Sequence, residues 1–461
     1  MGNIQNVSAK EQGPVNETYA NQLKVAPPNP DLEVSFDVAY FRQVLGAPEL
    51  LSVDEAEDSN PLTFPEGPHG EIERFLARGT LTEAEPILSQ WQSQVEEEGD
   101  ADALILIRSL RVRALLMEGL QEEAEASIGD AKGHPNMLLA EVGLALSQGQ
   151  IAQAREYLMK AEETLGASVA LEHLNGLLAV SEGRIDVAME CLSNVARHAP
   201  EHAVGRHQLG QLVLANGDVA RAGTLFEQAM EISPTFPPPA LSLAEMLMDQ
   251  RQLGEAMSVL HILTENRPEL LAGRLMQMRI LLELGEAETA LSLAELLKSQ
   301  MPDQPEVCLQ WAEAKARTGE IEETRIYLEK LLGDLDGELE ARCLRLLSQI
   351  ALGSEPPRVE EAIALMTKAV ASSDAADDML LDLAQLQLDI SDFTAAQKTY
   401  ESLARDARDV GTMISGAIAA HNRGLGQVAL LLAESAFERV QGTPAEPQIA
   451  GFLEQLKSLA G

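Results

Sequence analysis

Residues Ala203–Phe236 read AVGRHQLGQLVLANGDVARAGTLFEQAMEISPTF, a stretch of 34 residues that decides how the rest of the chain is read. It divides into two amphipathic halves. The first carries the pair Leu209-Gly210, Gly217-Asp218 supplies a turn, and the second carries Ala222, Phe226 and Ala229 before Pro234 ends it. Small residues are expected where two helix backbones come close, with large apolar residues filling the space around them. Gly217 and Pro234 fall at the joints, which is the punctuation of a helix pair.

Working outward, the alanine five residues after the turn glycine recurs. Gly79 precedes Ala84, Gly119 precedes Ala124, Gly149 precedes Ala154, Gly183 precedes Ala188, Gly285 precedes Ala290 and Gly424 precedes Ala429. From Ala154 to Thr324 the marker returns every 34 residues, with Arg251 replacing one turn glycine and Thr324 replacing one alanine. Outside that block the period wavers. Ala84 to Ala124 spans 40 residues, with the acidic stretch 96–102 expected as a long connection, and Ala124 to Ala154 spans only 30. Ser354–Arg358, containing Pro356 and Pro357, lengthens another turn. The length, the Leu-Gly pair, the two alanines and the closing proline together resemble the tetratricopeptide repeat.

That resemblance implies an all-α, right-handed superhelical solenoid of about eleven helix-turn-helix repeats, with the first helix of each pair lining a concave inner face. The expected domains are an acidic, proline-containing and mostly disordered tail at 1–64, the solenoid at 65–444 and a capping helix at 445–461. Within the tail, an apolar island at 34–45 carries Phe36, Tyr40, Phe41 and Leu45. It either caps the chain's own first repeats or docks on a partner.

Composition agrees with stacked helices: 45% of residues are hydrophobic but only 3% are aromatic. A net charge of −39 gives phosphate binding the wrong sign and argues against nucleic acid; it keeps a long solenoid soluble and favours a basic protein surface. No apolar run is long enough to cross a membrane, so a cytoplasmic protein is expected. The opening Met1-Gly2-Asn3 lacks the Ser or Thr that myristoylation wants at position 6, which is Asn6. Cys191, Cys308 and Cys343 fall in separate repeats without metal or redox spacing and read as small core residues.

Applying the register of 203–236 to neighbouring first helices gives the inward positions. They are His207, Gln211 and Leu214; Leu241, Glu245 and Met248; and Leu275, Arg279 and Leu282. The middle position is polar and its flanks are mostly apolar, a pattern suited to an amphipathic helix or an extended apolar peptide. A Lys/Asn/Arg clamp for acidic tails, found in some members of the family, is not matched: Gln211 follows Gly210 where that clamp has Asn. His198, His202 and His207 cluster in sequence, but Pro200 separates them onto different helices and faces, which argues against a metal. No phosphate loop, nucleophile elbow or zinc-protease motif is present, and no cofactor is expected. The sequence therefore points to a non-catalytic scaffold or adaptor that binds proteins through the inner groove. The alternative is a chaperone-like binder that shields an amphipathic helix of a secreted or filament-forming client.

Overall fold

The computed structural model describes residues 62–372, 376–407, 409–441 and 446–460. The island at 34–45, with Phe36, Tyr40, Phe41 and Leu45, lies outside the described residues. Among the described residues the fold is all α-helical and without strands.

The founding stretch forms α9 (Ala203–Ala215) and α10 (Val219–Ile232), and each joint has a local cause. Gly217 turns the chain with φ +90°, a conformation open to glycine at little cost. Its N–H donates to the Leu214 carbonyl and that of Asp218 to the Val213 carbonyl, so the last carbonyls of α9 are satisfied. The Asp218 carboxylate then accepts from the Arg221 N–H and opens α10. Gly210 is needed because a Cβ there would lie 2.6 Å from the ring of Phe226, which is fully buried. The Leu-Gly pair is thus the notch that admits the aromatic of the second helix.

The same construction gives α1 (Gly67–Arg78), α2 (Leu81–Glu98), α3 (Ala101–Met117), α4 (Gln121–Ile128), α5 (Leu138–Ser147), α6 (Ile151–Leu165), α7 (Val169–Ser181) and α8 (Ile185–His198) before it. After it come α11 (Pro237–Asp249), α12 (Leu253–Asn266), α13 (Leu271–Glu283), α14 (Ala287–Gln300), α15 (Pro305–Arg317), α16 (Ile321–Leu331), α17 (Gly337–Leu352) and α18 (Val359–Val370). The series closes with α19 (Asp377–Asp389), α20 (Phe393–Asp406), α21 (Val410–Asn422), α22 (Gly426–Val440) and a single last helix, α23 (Glu446–Ala460). Eleven helix pairs and one unpaired helix therefore make up the described residues.

The marker residues do what their spacing implies. Ala84, Ala124, Ala154, Ala188, Ala222, Ala256, Ala290, Thr324, Ala362, Ala396 and Ala429 are each fully buried. Arg251, standing where a turn glycine is expected, takes the left-handed conformation with φ +61°, and Ser391 does so at +63°.

One expectation is corrected. Residues 96–98 are not part of a long connection. They extend α2 to 18 residues, and the link to α3 is only Gly99, which closes α2 in the left-handed conformation, and Asp100, which caps α3 through the Ala103 N–H. Three glutamates in a row remain helix-competent when solvent faces them, so the extra length becomes helix.

The described chain divides into two compact units, 62–273 and 274–460. In the first, successive pairs stack, and α1 also reaches across to α9. Leu62 and Phe64 pack on Val169, Val195 and Ala199, and Arg74 lies 3.4 Å from Glu201. Gly79 touches the Phe236 ring so closely that a Cβ there would collide with it. In the second unit, α23 buries Ile449, Phe452, Leu453 and Leu456 against α21 and α22, covering the end of the stack.

Candidate partner-binding surface of the inner helices

In the first unit the first helices of successive pairs are α1, α3, α5, α7, α9 and α11, and two kinds of surface arise on them. The first is closed and polar. Glu73 of α1 is 4% exposed and pairs bidentately with Arg113 of α3, with Nη2 2.9 Å from Oε2. His69, one turn earlier, lies 3.5 Å from the same carboxylate. Burial alone would raise the Glu73 pKa, but the Arg113 charge and the hydrogen bonds from His69 and Arg113 outweigh it and hold it at about 2. An ion pair this deep is kept by the full set of hydrogen bonds on its carboxylate.

Beside it, the rings of His173 on α7 and His202 at the start of α9 are 4.8 Å apart. His202 Nδ1 accepts from the Gly205 N–H at 2.9 Å, capping α9, and His173 bonds to Gln208. Burial pushes His173 down to about 4 and His202 well below the usual imidazole range, so both are neutral near pH 7. This cluster absorbs one third of the sequence's histidine group. His198 bonds to the Asn194 carbonyl and His207 to Ser242, so the three histidines have separate partners.

The second surface lies on α9 and α11. Gln211 and Glu245 are exposed, and Leu214 and Leu241 are half-buried. His207 is buried between Phe226 and Phe236, and Met248 is 5% exposed. In the second unit, Leu275 is half-buried, Arg279 is exposed and Leu282 is 7% exposed. Of the residues read from the sequence as inward, His207, Met248 and Leu282 are therefore buried and serve as packing. Gln211, Leu214, Leu241, Glu245, Leu275 and Arg279 keep accessible surface.

Sequence reasoning missed the Glu73–Arg113 pair. Its signal was present: Arg113 sits in ALILIRSLRVRALLM, where a cation on a largely apolar helix calls for a buried partner. The three cysteines are buried and free, as read. Among the described residues, no helix is long and apolar enough to cross a membrane, and no group of three or more metal-binding side chains occurs.

Stacked antiparallel helix pairs with small residues at every crossing define an α-helical repeat protein. The sequence model of the tetratricopeptide repeat family matches residues 213–277, from the last turn of α9 into α13. No curated protein matches its sequence. Among solved structures, it is similar to a tetratricopeptide repeat protein from Parabacteroides merdae, at 15% identity over 55% of this chain and 98% of that one, with a TM-score of 0.44. A thermophilic repeat protein of Thermus thermophilus is 22% identical over 40% of this chain and 99% of its own, with a TM-score of 0.35. Yeast Tom70 is 14% identical over 82% of this chain and 90% of its own, with a TM-score of 0.43.

Proposed function

We propose that this protein is a non-catalytic scaffold that holds a partner protein on the accessible stripe of α9 and α11, through Gln211, Leu214, Leu241 and Glu245. The observation that carries this reading is the return of an exposed polar residue at the repeat spacing, each time with a half-buried leucine about one turn away. An exposed polar residue at 211 and again at 245 is accompanied by a half-buried leucine at 214 and at 241. Exposed polar groups fix register and half-buried leucines offer apolar contact, a division suited to an amphipathic helix. Leu275 and Arg279 carry the same types on α13. The charge of −39 favours a partner with a basic surface and speeds its encounter.

The test replaces Gln211 and Glu245, one at a time, with a photo-crosslinking amino acid in the native cell, with Gln228 on the exposed side of α10 as the control. Specific protein adducts at 211 and 245, lost when Leu214 and Leu241 are both changed to Glu, are expected. Met248 is not used, since a carboxylate at a buried site would unfold the repeat. Adducts as abundant at 228, or unaffected by the two glutamates, would remove the stripe from the account. A single client that aggregates without this protein would identify the partner as a shielded one; a client soluble alone would leave a tether.

A further inference from the structure

The repeat register breaks twice inside the first unit, at a 40-residue step and then at a 30-residue step, and a cavity lies at the second break. The 30-residue step between Ala124 and Ala154 shortens the second helix of its pair. Helix α4 has eight residues, and two short 3-10 turns, Gly129–Ala131 and Pro135–Met137, carry the chain on to α5. In the next pair the corresponding helix, α6, has 15 residues. At the end of α4 a cavity of about 340 Å³ opens, lined by α4, the Gly129–Ala131 turn, α5 and α6. Its floor is apolar, from Ile128, Leu144 and Ala145, and Gln153 and Tyr157 stand at its side with Lys132 and Glu125 around it.

One buried carboxylate lines this cavity. Glu141 sits in LLAEVGLALS, the most apolar stretch of its pair, and is 3% exposed. Its Oε1 accepts the Gly133 N–H at 3.0 Å, but Oε2, which is buried, has no hydrogen-bond partner among the described residues. A buried acceptor without a donor is costly, and that cost is recovered when a ligand brings one. Burial also pushes the carboxyl above its usual range, against the Gly133 bond and the more distant charges of Lys132 and Lys160. Nearby, Gln153 Nε2 donates to Tyr157 Oη at 2.9 Å, which leaves the phenol proton free to donate.

We propose that this cavity is a binding site for a primary alkylammonium group, whose cation is received by Glu141 Oε2 once a turn of the side chain brings that oxygen to the cavity wall, while its methylenes lie on Ile128, Leu144 and Ala145. The class follows from the parts. The free acceptor asks for a donor, the two carboxylates against the single lysine around the cavity favour a cation, and the apolar floor suits a short hydrocarbon stem. A lysine side chain of a basic protein and a free alkylamine share this chemistry. The site is separate from the stripe on α9 and α11 and stands whether or not that stripe binds.

The experiment uses the full chain and saturation-transfer NMR with three probes: n-butylammonium, Nα-acetyl-lysine N-methylamide, and the same lysine derivative acetylated at Nε. The two cationic probes should bind with dissociation constants on the order of millimolar. Glu141→Gln, which retains an acceptor for the Gly133 N–H, should weaken both at least tenfold, and the Nε-acetylated probe should not bind. Gln153→Trp, a change at a half-buried residue of the lining, should block binding with Glu141 intact, so the outcome does not depend on one variant folding. Tighter binding of the lysine derivative than of butylammonium assigns the site to a partner's lysine; the reverse order assigns it to a free amine. Unchanged affinity in folded Glu141→Gln, wild-type affinity in Gln153→Trp, or equal binding of the neutral probe would overturn the proposal.

Discussion

The pair formed by α9 and α10 and the pair formed by α3 and α4 are built on the same plan and end differently. In the first, 13 and 14 residues of helix meet, and Phe226 fills the notch at Gly210. In the second, 17 residues of α3 stand beside only eight of α4, and irregular turns span the remainder. A repeat in register spends its apolar residues on its own crossing. A repeat out of register leaves a buried carboxylate facing a cavity, so chemistry that a regular stack would bury uniformly becomes local.

The largest expected effect is in the regular pair. Phe226→Ala removes an aromatic that is fully buried against backbone and should cost about 3–5 kcal/mol in urea unfolding. Ile128→Ala at the end of α4, next to a cavity already open, should cost about 2 kcal/mol. Equal losses would mean that the irregular pair is packed as tightly as the regular one, and the contrast would fail.

A second comparison concerns acid. Folded His173, at about 4 against 6.5 unfolded, stays neutral where the unfolded chain takes up a proton, so its contribution is present above pH 6.5 and lost as pH falls toward 4. His202 acts with the same sign. Glu73, at about 2 against 4.5, adds a further loss below pH 4.5. Urea midpoints should therefore drop between pH 7.5 and 5, by up to about 2 kcal/mol for His173. The variant with His173→Gln and His202→Asn, the latter keeping a cap for Gly205, should show a flatter profile; an unchanged slope would clear these two rings of responsibility.

The smallest effect sharpens the turn comparison. Ser391 holds a left-handed conformation that glycine adopts at the other turns, so Ser391→Gly should stabilise the second unit by about 0.5–1 kcal/mol. A loss on this substitution would show that the serine side chain is needed there.

Much of the architecture was legible because it repeats. The offset between turn glycine and buried alanine identified the pairs, and it assigned Arg251 to a turn although the residue type argues otherwise. The accessible stripe was legible only in part, since periodicity says that 207, 241 and 275 are equivalent, not that Phe226 and Phe236 enclose His207. The length of α2 was misjudged because an acidic run looks the same on a solvated helix face as in a connection. Glu141 left a trace, a single charge in an apolar helix beside the shortest step of the array. What the sequence could not supply was which of its oxygens would be satisfied, because that depends on where the Gly133 turn falls.

The reach of α1 to α9 bears on how the chain is made. Most contacts of a stacked array join neighbours, so its pairs can form as they leave the ribosome. Residues 62–79 instead find Glu201, Val169 and the Phe236 ring far along the chain. During synthesis Ile72 and Leu76 of α1 are covered by α2 and α3, but Phe64 stays uncovered until residue 199 has emerged, and the contact of Gly79 waits for Phe236. The outer contacts of α1 are thus completed only after the helices up to α8 have been made.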